Sequence, residues 1–201
     1  MIHRLVADAI ERYSCGRQQL VDVGCGRGDL CTVLRARFER CCGIDAVRYE
    51  GFPADCEFHQ ADLDAAAWAV PERAADVVTA VEVIEHLENP WAFMRRLTAL
   101  GRAGALIVVT TPNQLSLLSL LTLIVKGRFS AFQDVQFPVH RTALLECDLR
   151  RAATASGLMV LGVEYTRDGR APLTGRHVPG ALSRTFPRAF SDNLALVARK
   201  P

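Results

Sequence analysis

Short, almost wholly apolar runs alternate along this chain with longer stretches in which apolar residues recur every three or four positions. The short runs are typical of strands that are buried on both faces, and the longer periodic stretches are typical of helices. The pattern predicts strands at residues 20–23, 41–45, 56–59, 75–81, 105–110, 159–165 and 193–199. It predicts helices at residues 5–13, 29–37, 90–100, 115–125 and 142–156.

Strands that alternate with helices indicate a parallel sheet with helices packed on both faces. We therefore expect an α/β fold in which residues 1–201 form a single domain, because 201 residues are close to one domain in size. Pro112 predicts the end of the fifth strand, and Gly157 predicts the end of the last helix. Residues 168–190 are rich in Gly, Pro and Arg, which predicts a loop.

The composition, 50% apolar and 23% charged, is typical of a globular protein. No apolar run reaches the roughly 20 residues of a membrane span. Asp8, Glu11 and Arg12 also interrupt the apolar stretch near the start of the chain, so we expect a cytoplasmic protein. The formal net charge of +2 conceals a division, since residues 1–125 carry a net charge of −4 and residues 126–201 carry one of +6.

Seven cysteines are present, six of them within the first 56 residues, and no two form a CxxC pair. Without an export signal, an odd number of cysteines argues against a disulfide framework. The spacing also lacks the paired pattern of structural zinc sites, so no metal site is predicted. We expect the cysteines to be small, buried apolar residues.

A glycine-rich loop, with Gly24, Gly26 and Gly28, lies between the first predicted strand and the following helix. Glycines at this point let the backbone approach a ligand closely. The GxGxG spacing differs from the GxGxxG of dinucleotide-binding folds. Asp22, two residues before Gly24, would repel a pyrophosphate but would attract an ammonium group.

Further acidic residues follow the next two predicted strands. Asp45 ends the second strand, 17 residues after Gly28, where a carboxylate can accept hydrogen bonds from both ribose hydroxyls. Asp62 and Leu63 follow the third strand, where they can contact an adenine edge. Each acid alone could be a helix cap or a solvated turn residue. Partners for an ammonium group, a ribose and an adenine, in that order, together describe S-adenosylmethionine.

These motifs resemble those of the class I S-adenosylmethionine-dependent methyltransferases. The resemblance rests on LVDVGCGRGDL (20–30), GIDAV (43–47), the turn at 60–63, VVTAVEVIEHLENP (77–90) and LIVVTTPN (106–113). It implies a Rossmann-like, doubly wound sheet of seven strands with the last strand antiparallel, and S-adenosylmethionine as the cofactor. The residues that it assigns to the cofactor are Asp22, Gly24, Gly26 and Gly28 for the methionine part, Asp45 for the ribose, Asp62 with Leu63 for the adenine, and Val81 with Glu82 beside the methionine end.

Two histidines are candidates for the transfer step. The methyl group of a sulfonium is already activated, so such an enzyme mainly aligns the reactants and excludes water. A hydroxyl acceptor also needs a general base, a role that suits an imidazole. His86 follows the fourth predicted strand and His140 precedes the last predicted helix, and either is expected to act as base or to bind the acceptor. Alternatively, His86 enters a helix and bonds to Glu82 or Glu85, and His140 contacts a helix cap.

The segment with Glu82, Glu85 and His86, together with His140, also resembles the metal site of small-RNA 2′-O-methyltransferases. Two carboxylates and two imidazoles can bind Mg²⁺ or Mn²⁺ beside a ribose hydroxyl and acidify it. That family has a second histidine near the later one and an aromatic-rich stretch after it, and residues 139–143 lack both. The EVIEHL sequence is shared with UbiG-like quinone methyltransferases, which act on small molecules.

Residues 115–125 form an apolar stretch in which Ser116, Ser119 and Thr122 give one narrow polar stripe. One interpretation is a helix buried between the sheet and a lid. The other is a helix that lies on a membrane surface or over an apolar acceptor, with residues 126–129 as an interfacial anchor. UbiG-like enzymes carry a lipid-facing insertion at this point, which makes peripheral membrane contact through residues 115–129 an open prediction.

Segments 114–141 and 167–190 remain for choosing the acceptor. The second contains five arginines, which could meet an anionic group or could simply be solvated. We expect methyl transfer to a small-molecule acceptor at oxygen, with lipid-linked and anionic acceptors both open. Because no separate recognition domain is evident, a nucleic-acid partner is not expected. A metal-assisted RNA methyltransferase and a non-catalytic module that binds S-adenosylmethionine are the alternatives.

Overall fold

A computed structural model of the chain describes residues 2–14, 16–65, 67–70, 74–167, 169–172, 174 and 176–201. Its seven strands form one sheet, and they are β1 (Gln19–Val23), β2 (Arg40–Asp45), β3 (Glu57–Gln60), β4 (Ala75–Ala80), β5 (Gly101–Pro112), β6 (Met159–Tyr165) and β7 (Asn193–Arg199). The strand order is β3-β2-β1-β4-β5-β7-β6. Strands β1 to β5 pair in parallel, and β7 is antiparallel to both β5 and β6. The predicted sheet with an antiparallel last strand is confirmed.

Side chains alternate between the two faces of this sheet and build two separate cores. In β5, Ile107 and Val109 join one core, whereas Leu106 and Val108 join the other. Every residue of β1 and β4 is buried, as expected for strands covered on both faces, including the polar residues Gln19, Asp22, Asp76 and Thr79. Burying one such side chain stabilises the fold by about 1.5–3 kcal/mol.

Within the part of the chain that the structure describes, six helices accompany the strands. They are α1 (Ile2–Tyr13), α2 (Asp29–Leu34), α3 (Pro90–Leu100), α4 (Leu117–Lys126), α5 (Glu146–Ala155) and α6 (Gly180–Thr185). Short 3-10 turns occur at Arg35–Arg37, Ile84–His86 and Asp134–Gln136. Asn89 caps α3 by accepting the Ala92 N–H. Pro90 occupies the first helical position, where the predicted helix 90–100 begins.

Two helix predictions need correction. The helix predicted at 142–156 begins only at Glu146, because the backbone N–H groups of Arg141 and Thr142 donate to the Glu85 carbonyl and hold this segment extended. The loop predicted at 168–190 contains α6, which its glycine, proline and arginine content conceals. Asp168 lies outside the described residues.

Helix α4 has the reverse of the usual amphipathic arrangement. Its polar Ser119 is fully buried and bonded to Gln114, whereas Ile124 and Val125 are both 79% exposed. Leu121 is also exposed. The interpretation that this helix is buried between the sheet and a lid is therefore wrong.

The cysteine prediction is confirmed for most of the described thiols. Cys25, Cys31, Cys41, Cys42 and Cys56 are buried, whereas Cys147 is exposed on α5 and contradicts it. Cys15 lies outside the described residues. Within the part of the chain that the structure describes, no helix is both long and apolar enough to cross a membrane.

The carboxyl ends of the parallel strands meet at one edge of the sheet. The segment after β5 and the segment between β6 and β7 cover part of this edge and contact each other. Asn113 Nδ2 donates to the carbonyls of Arg188 (2.8 Å) and Ser191 (3.0 Å), and the Leu117 N–H donates to the Ala189 carbonyl (2.8 Å). This edge therefore brings together the loops in which ligands bind in open α/β sheets.

Candidate active site

The glycine loop between β1 and α2 is a tight turn with a bare backbone. Gly24, Gly26 and Gly28 have positive φ angles of 72°, 53° and 79°, in the region that favours glycine. A Cβ at Gly24 would lie 2.3 Å from Val83 Cγ2, so a side chain does not fit there. A Cβ at Gly26 would meet no atom within 4 Å. The loop thus offers an open backbone face, which close approach of a ligand requires.

Asp22 lies beneath this loop rather than at its mouth. Its side chain is almost fully buried, and its Oδ1 accepts a hydrogen bond from Thr79 Oγ1 at 2.7 Å. Burial raises the pKa of Asp22 to about 7, because it disfavours the charged form. The predicted contact between Asp22 and an ammonium group stays a prediction.

Asp45 joins the end of β2 to the glycine loop. Its Oδ2 accepts the Gly26 N–H at 2.8 Å, and its Oδ1 accepts the Ala46 N–H at 2.7 Å. The carboxylate is only partly buried, at the carboxyl edge of the sheet. Its position beside the open face of Gly26 suits the predicted contact with a ribose.

Asp62 and Leu63 follow β3 beside Asp45, as predicted from the strand order. The Ala61 N–H donates to the Asp45 carbonyl at 2.9 Å and ties the two strand ends together. Asp62 is exposed and its Oδ1 accepts the Asp64 N–H at 3.0 Å, whereas Leu63 packs against the core. The two predicted nucleoside contacts therefore lie on neighbouring strands.

Glu82 occupies a strained position directly after β4 and Val81. Its φ angle of 54° is unusual for a residue with a side chain. The surroundings hold it there, because its N–H donates to Thr110 Oγ1 and this hydroxyl donates to Glu82 Oε1, both at 2.9 Å. Asn193 Nδ2 donates to the other carboxylate oxygen. Burial, followed by the negative charge of Glu85, raises the pKa of Glu82 to about 8.

His86 and His140 lie against each other, with ring centroids 4.8 Å apart. His86 Nδ1 lies 2.8 Å from the Val139 carbonyl, and His140 Nδ1 lies 2.6 Å from the Ala131 carbonyl. A carbonyl only accepts hydrogen bonds, so in each neutral ring Nδ1 carries the hydrogen and Nε2 keeps its lone pair. Burial, as the largest cause, lowers the pKa of His140, which favours its neutral form.

Glu85 lies next to the two histidines. Its side chain is fully buried; its Oε2 accepts from Thr111 Oγ1 at 3.1 Å, but its Oε1 has no hydrogen-bond partner among the described residues. His86 Nε2 lies 3.9 Å from that Oε1. Burial raises the pKa of Glu85 to about 7. One ligand atom from each of Glu85, His86 and His140 lies within 4.8 Å of the others.

Of the four residues in the predicted metal site, the structure therefore clusters three. The carboxylate of Glu82 instead bonds to Thr110 and Asn193. His86 lies in the 3-10 turn Ile84–His86, as the alternative interpretation expects. Its Nε2 lies 3.9 Å from Glu85 Oε1, which is within ion-pair distance but beyond hydrogen-bond distance. His140 contacts the Ala131 carbonyl rather than a helix cap.

The sequence analysis missed the residues that support the two glutamates. Thr110 and Thr111 are polar residues at the end of an apolar strand, a signal that was visible in the sequence. Asn193 bonds to Glu82 because β7 is antiparallel and so begins at the carboxyl edge, opposite Pro112. That pairing is not visible in the sequence.

The arginines of segment 167–190 lie away from the glycine loop. Arg167 and Arg184 line a cavity of about 740 Å³, together with Arg4 and Arg12 of α1. No residue predicted to contact the cofactor lines this cavity. Arg170 instead pairs with Asp192 at 2.8 Å. The prediction that these arginines meet an anionic group is untested.

Known proteins are similar to this chain in sequence and in fold. The family model for the methyltransferase domain matches residues 2–162. A ubiquinone biosynthesis O-methyltransferase of Rhodopseudomonas palustris is 32% identical over 102 residues, which are 48% of this chain and 40% of that protein. A probable S-adenosylmethionine-dependent methyltransferase of Mycolicibacterium smegmatis is 25% identical over 187 residues, which are 90% of this chain and 68% of that protein.

A crystal structure of a SAM-dependent methyltransferase from Archaeoglobus fulgidus superposes with a TM-score of 0.66 at 19% identity, covering 98% of this chain and 94% of that one. This likeness shows the fold alone. The sheet topology, the glycine loop and the matched family model together define a class I S-adenosylmethionine-dependent methyltransferase. The chain belongs to the methyltransferase domain family, whose cofactor is S-adenosylmethionine. It spans less than half the length of the Rhodopseudomonas enzyme that it matches.

Proposed function

We propose that this protein methylates a hydroxyl oxygen of a small, apolar acceptor. The observation that carries the proposal is the geometry of His86, whose Nδ1 is held by the Val139 carbonyl at the carboxyl edge of the sheet. The ring is thereby oriented with Nε2 available as a base. The O-methyltransferases among the curated relatives support transfer to oxygen.

The residues around the glycine loop fit S-adenosylmethionine. When bound, this cofactor supplies an activated methyl group on a sulfonium. In our proposal Asp45 accepts the ribose hydroxyls, Asp62 and Leu63 contact the adenine, and the open face at Gly26 lies against the methionine part. Asp22 attracts the ammonium group, and Val81 and Glu82 flank the methionine end.

His86 removes the proton of the acceptor hydroxyl in this proposal. In this step the acceptor O–H bond would break and an O–C bond to the transferred methyl group would form. The proton would pass to His86 Nε2, and the electron pair of the old S–C bond would stay with the cofactor. His140 packs edge-on against His86 and is the second candidate base. Glu85 Oε1, at 3.9 Å from His86 Nε2, stabilises the imidazolium that forms.

The exposed apolar side of α4 supports an acceptor with an apolar tail or one that lies in a lipid surface. Leu121, Ile124 and Val125 face solvent, and Lys126 and Arg128 follow directly. Apolar side chains with adjacent cations are typical of helices that lie in a membrane interface. We propose that α4 contacts the apolar part of the acceptor or the membrane in which it dissolves.

Calorimetry with S-adenosylhomocysteine, followed by methyl transfer to a panel of phenols and catechols with alkyl chains, tests this function. We expect one binding site per chain and transfer to oxygen in at least one compound. Binding without transfer to any acceptor would instead favour a non-catalytic binding module. Failure to bind would overturn the cofactor site itself.

A metal-assisted RNA ribose methyltransferase is the second candidate, because Glu85, His86 and His140 lie within 4.8 Å of one another. The buried Glu85 Oε1, which has no hydrogen-bond partner among the described residues, fits a cation. These three residues would hold a divalent ion that acidifies the hydroxyl. Methylation of a short RNA that requires Mn²⁺ and is lost in His140→Ala would favour this function over the first.

A further inference from the structure

Three buried cysteines converge on the α1 and α2 side of the sheet, from separate elements. Cys31 lies in the first turn of α2, Cys41 lies in β2, and Cys56 directly precedes β3. Their exposed fractions are 0%, 7% and 5%, and their Sγ atoms all lie within 4.8 Å of one another. We call these three residues the thiol cluster. They are 10 and 15 positions apart in the sequence, so they do not form a CxxC pattern.

The proposed methyl transfer does not use this cluster. Core packing alone would not require three sulfurs to meet, because any small apolar residue could fill such positions. The neighbouring Cys42 points to the other face of the sheet and belongs to the opposite core. It therefore provides a buried thiol next to the cluster but not part of it.

Two polar groups lie next to the cluster. Cys31 Sγ donates a long hydrogen bond to Asp22 Oδ2, 4.0 Å away. The exposed ion pair between Arg35 and Asp55 lies beside Cys56.

We propose that the thiol cluster of Cys31, Cys41 and Cys56 binds one monovalent copper ion. Three sulfurs bonded to one ion at about 2.3 Å lie roughly 3.8–4.0 Å apart, so the observed separations need to shorten by less than about 1 Å. Thiolate ligands select soft ions such as Cu(I). Each sulfur that binds loses its proton to the solvent buffer, and the ion stays monovalent throughout.

Zinc fits this cluster less well than copper does. Zinc in structural sites takes four ligands, and the cluster supplies three. A further candidate ligand is the carboxyl of Asp22, whose Oδ2 lies 4.0 Å from Cys31 Sγ. That carboxyl already bonds to Thr79 and, in the proposed function, serves the cofactor.

A bound ion would link the two elements that carry the cofactor site. Cys31 lies three residues after Gly28 of the glycine loop, and Cys41 lies on the strand that ends at Asp45. Copper should therefore stabilise the fold by mass action, because the unfolded chain does not preassemble the three thiols. We expect a higher unfolding temperature when Cu(I) is added to the reduced protein.

The test is a titration of the reduced full chain with Cu(I) in competition with a chromophoric Cu(I) chelator. We expect one equivalent to bind, and Cys41→Ser and Cys56→Ser to weaken binding at least 100-fold. Three matched thiol variants, Cys42→Ser, Cys147→Ser and Cys15→Ser, should leave affinity unchanged. The proposal would be overturned if one of these three control variants no longer bound its equivalent of Cu(I) while the Cys41→Ser and Cys56→Ser variants still did.

X-ray absorption on the copper-loaded wild type keeps the test independent of variant folding. Three sulfur neighbours at about 2.3 Å are expected, whereas nitrogen or oxygen neighbours would contradict the site. Zinc is titrated in parallel, because Cys42, Glu57 and His59 form a second group of possible ligands. Tight zinc binding that is lost in Cys42→Ser would place the metal in that group and contradict the proposal. Copper affinity and unfolding temperature do not depend on methyl transfer, so this proposal and the proposed function can fail separately.

Discussion

The two halves of the carboxyl edge are built in different ways. At the end of β2 the bonds run between backbone and carboxylate, since Asp45 accepts the N–H groups of Gly26 and Ala46. On the acceptor side, α4 turns its serine inward and leaves Ile124 and Val125 exposed. The first region is preorganised for one ligand, whereas the second offers an apolar surface with few polar groups. In the proposed function, this contrast separates a fixed cofactor site from an adaptable acceptor site.

Asp45→Ala should have the largest effect on this contrast. It would remove the proposed ribose acceptor and leave the Gly26 N–H without its Asp45 partner. We therefore expect S-adenosylhomocysteine to bind about 100-fold more weakly, which is about 2.7 kcal/mol. Isothermal titration calorimetry measures this loss. Asp134→Ala, which removes an exposed carboxylate on the acceptor side, serves as the control and should leave binding unchanged. Equal losses in both variants would show that Asp45 has no special role.

His86→Ala should separate catalysis from cofactor binding. We expect kcat to fall about 100-fold at pH 7, because the general base is lost, while the Kd for S-adenosylhomocysteine stays within about twofold. His177→Ala, a change at an exposed histidine of segment 167–190, should alter neither quantity. An unchanged kcat in His86→Ala would show that His86 is not the general base and would leave His140 as the candidate.

Glu85→Gln should change the pH dependence of stability. Burial raises the folded-state pKa of Glu85 to about 7, so the folded state holds this proton more tightly than the unfolded state, whose pKa is near 4.5. The stability that the wild type gains from the protonated group is therefore present at low pH and is lost as the pH rises from about 5 towards 7. We expect Glu85→Gln to unfold like the wild type at pH 5 and to be more stable by on the order of 1–3 kcal/mol at pH 8.

Thermal unfolding at pH 5 and pH 8 measures this difference. Glu88→Gln is the matched control, since Glu88 is exposed in the same segment and only pairs with Arg141. A constant offset between Glu85→Gln and wild type at both pH values would contradict the linkage to Glu85.

Ile124→Glu should have the smallest effect on the fold and a selective effect on the acceptor side. The residue is 79% exposed, so stability should change by no more than about 0.5 kcal/mol. Binding to anionic lipid vesicles, measured by co-sedimentation, should fall about tenfold. Met159→Glu places the same charge at an exposed position at the start of β6, away from α4, and should leave vesicle binding intact. A similar loss in both variants would point to net charge alone.

The same contrast explains what the sequence could reveal. The cofactor half is local, because each acid follows its own strand, and the order of strand, loop and acid predicts both the sheet and the positions of Asp45 and Asp62. The acceptor half depends on contacts across the chain. The late start of α5 follows from the bonds of Arg141 and Thr142 to the Glu85 carbonyl, which come from more than 50 residues away. The inward side of α4 follows from Gln114 and the segment around Ser130, not from its own apolar period.

The thiol cluster also depends on contacts between distant segments, so the sequence pattern does not predict it. Its three sulfurs lie on three elements, and only the packing of α2 onto β2 brings them together. Spacing rules for metal sites detect ligands that share one turn, so they do not detect this arrangement.

A crystal structure with bound S-adenosylhomocysteine would show where the cofactor lies. We expect the ribose hydroxyls on Asp45, the adenine beside Asp62 and Leu63, and the sulfur facing the turn with Glu82 and His86. Density for the nucleoside in the arginine-lined cavity between α1 and α6, with the glycine loop bare, would contradict this expectation.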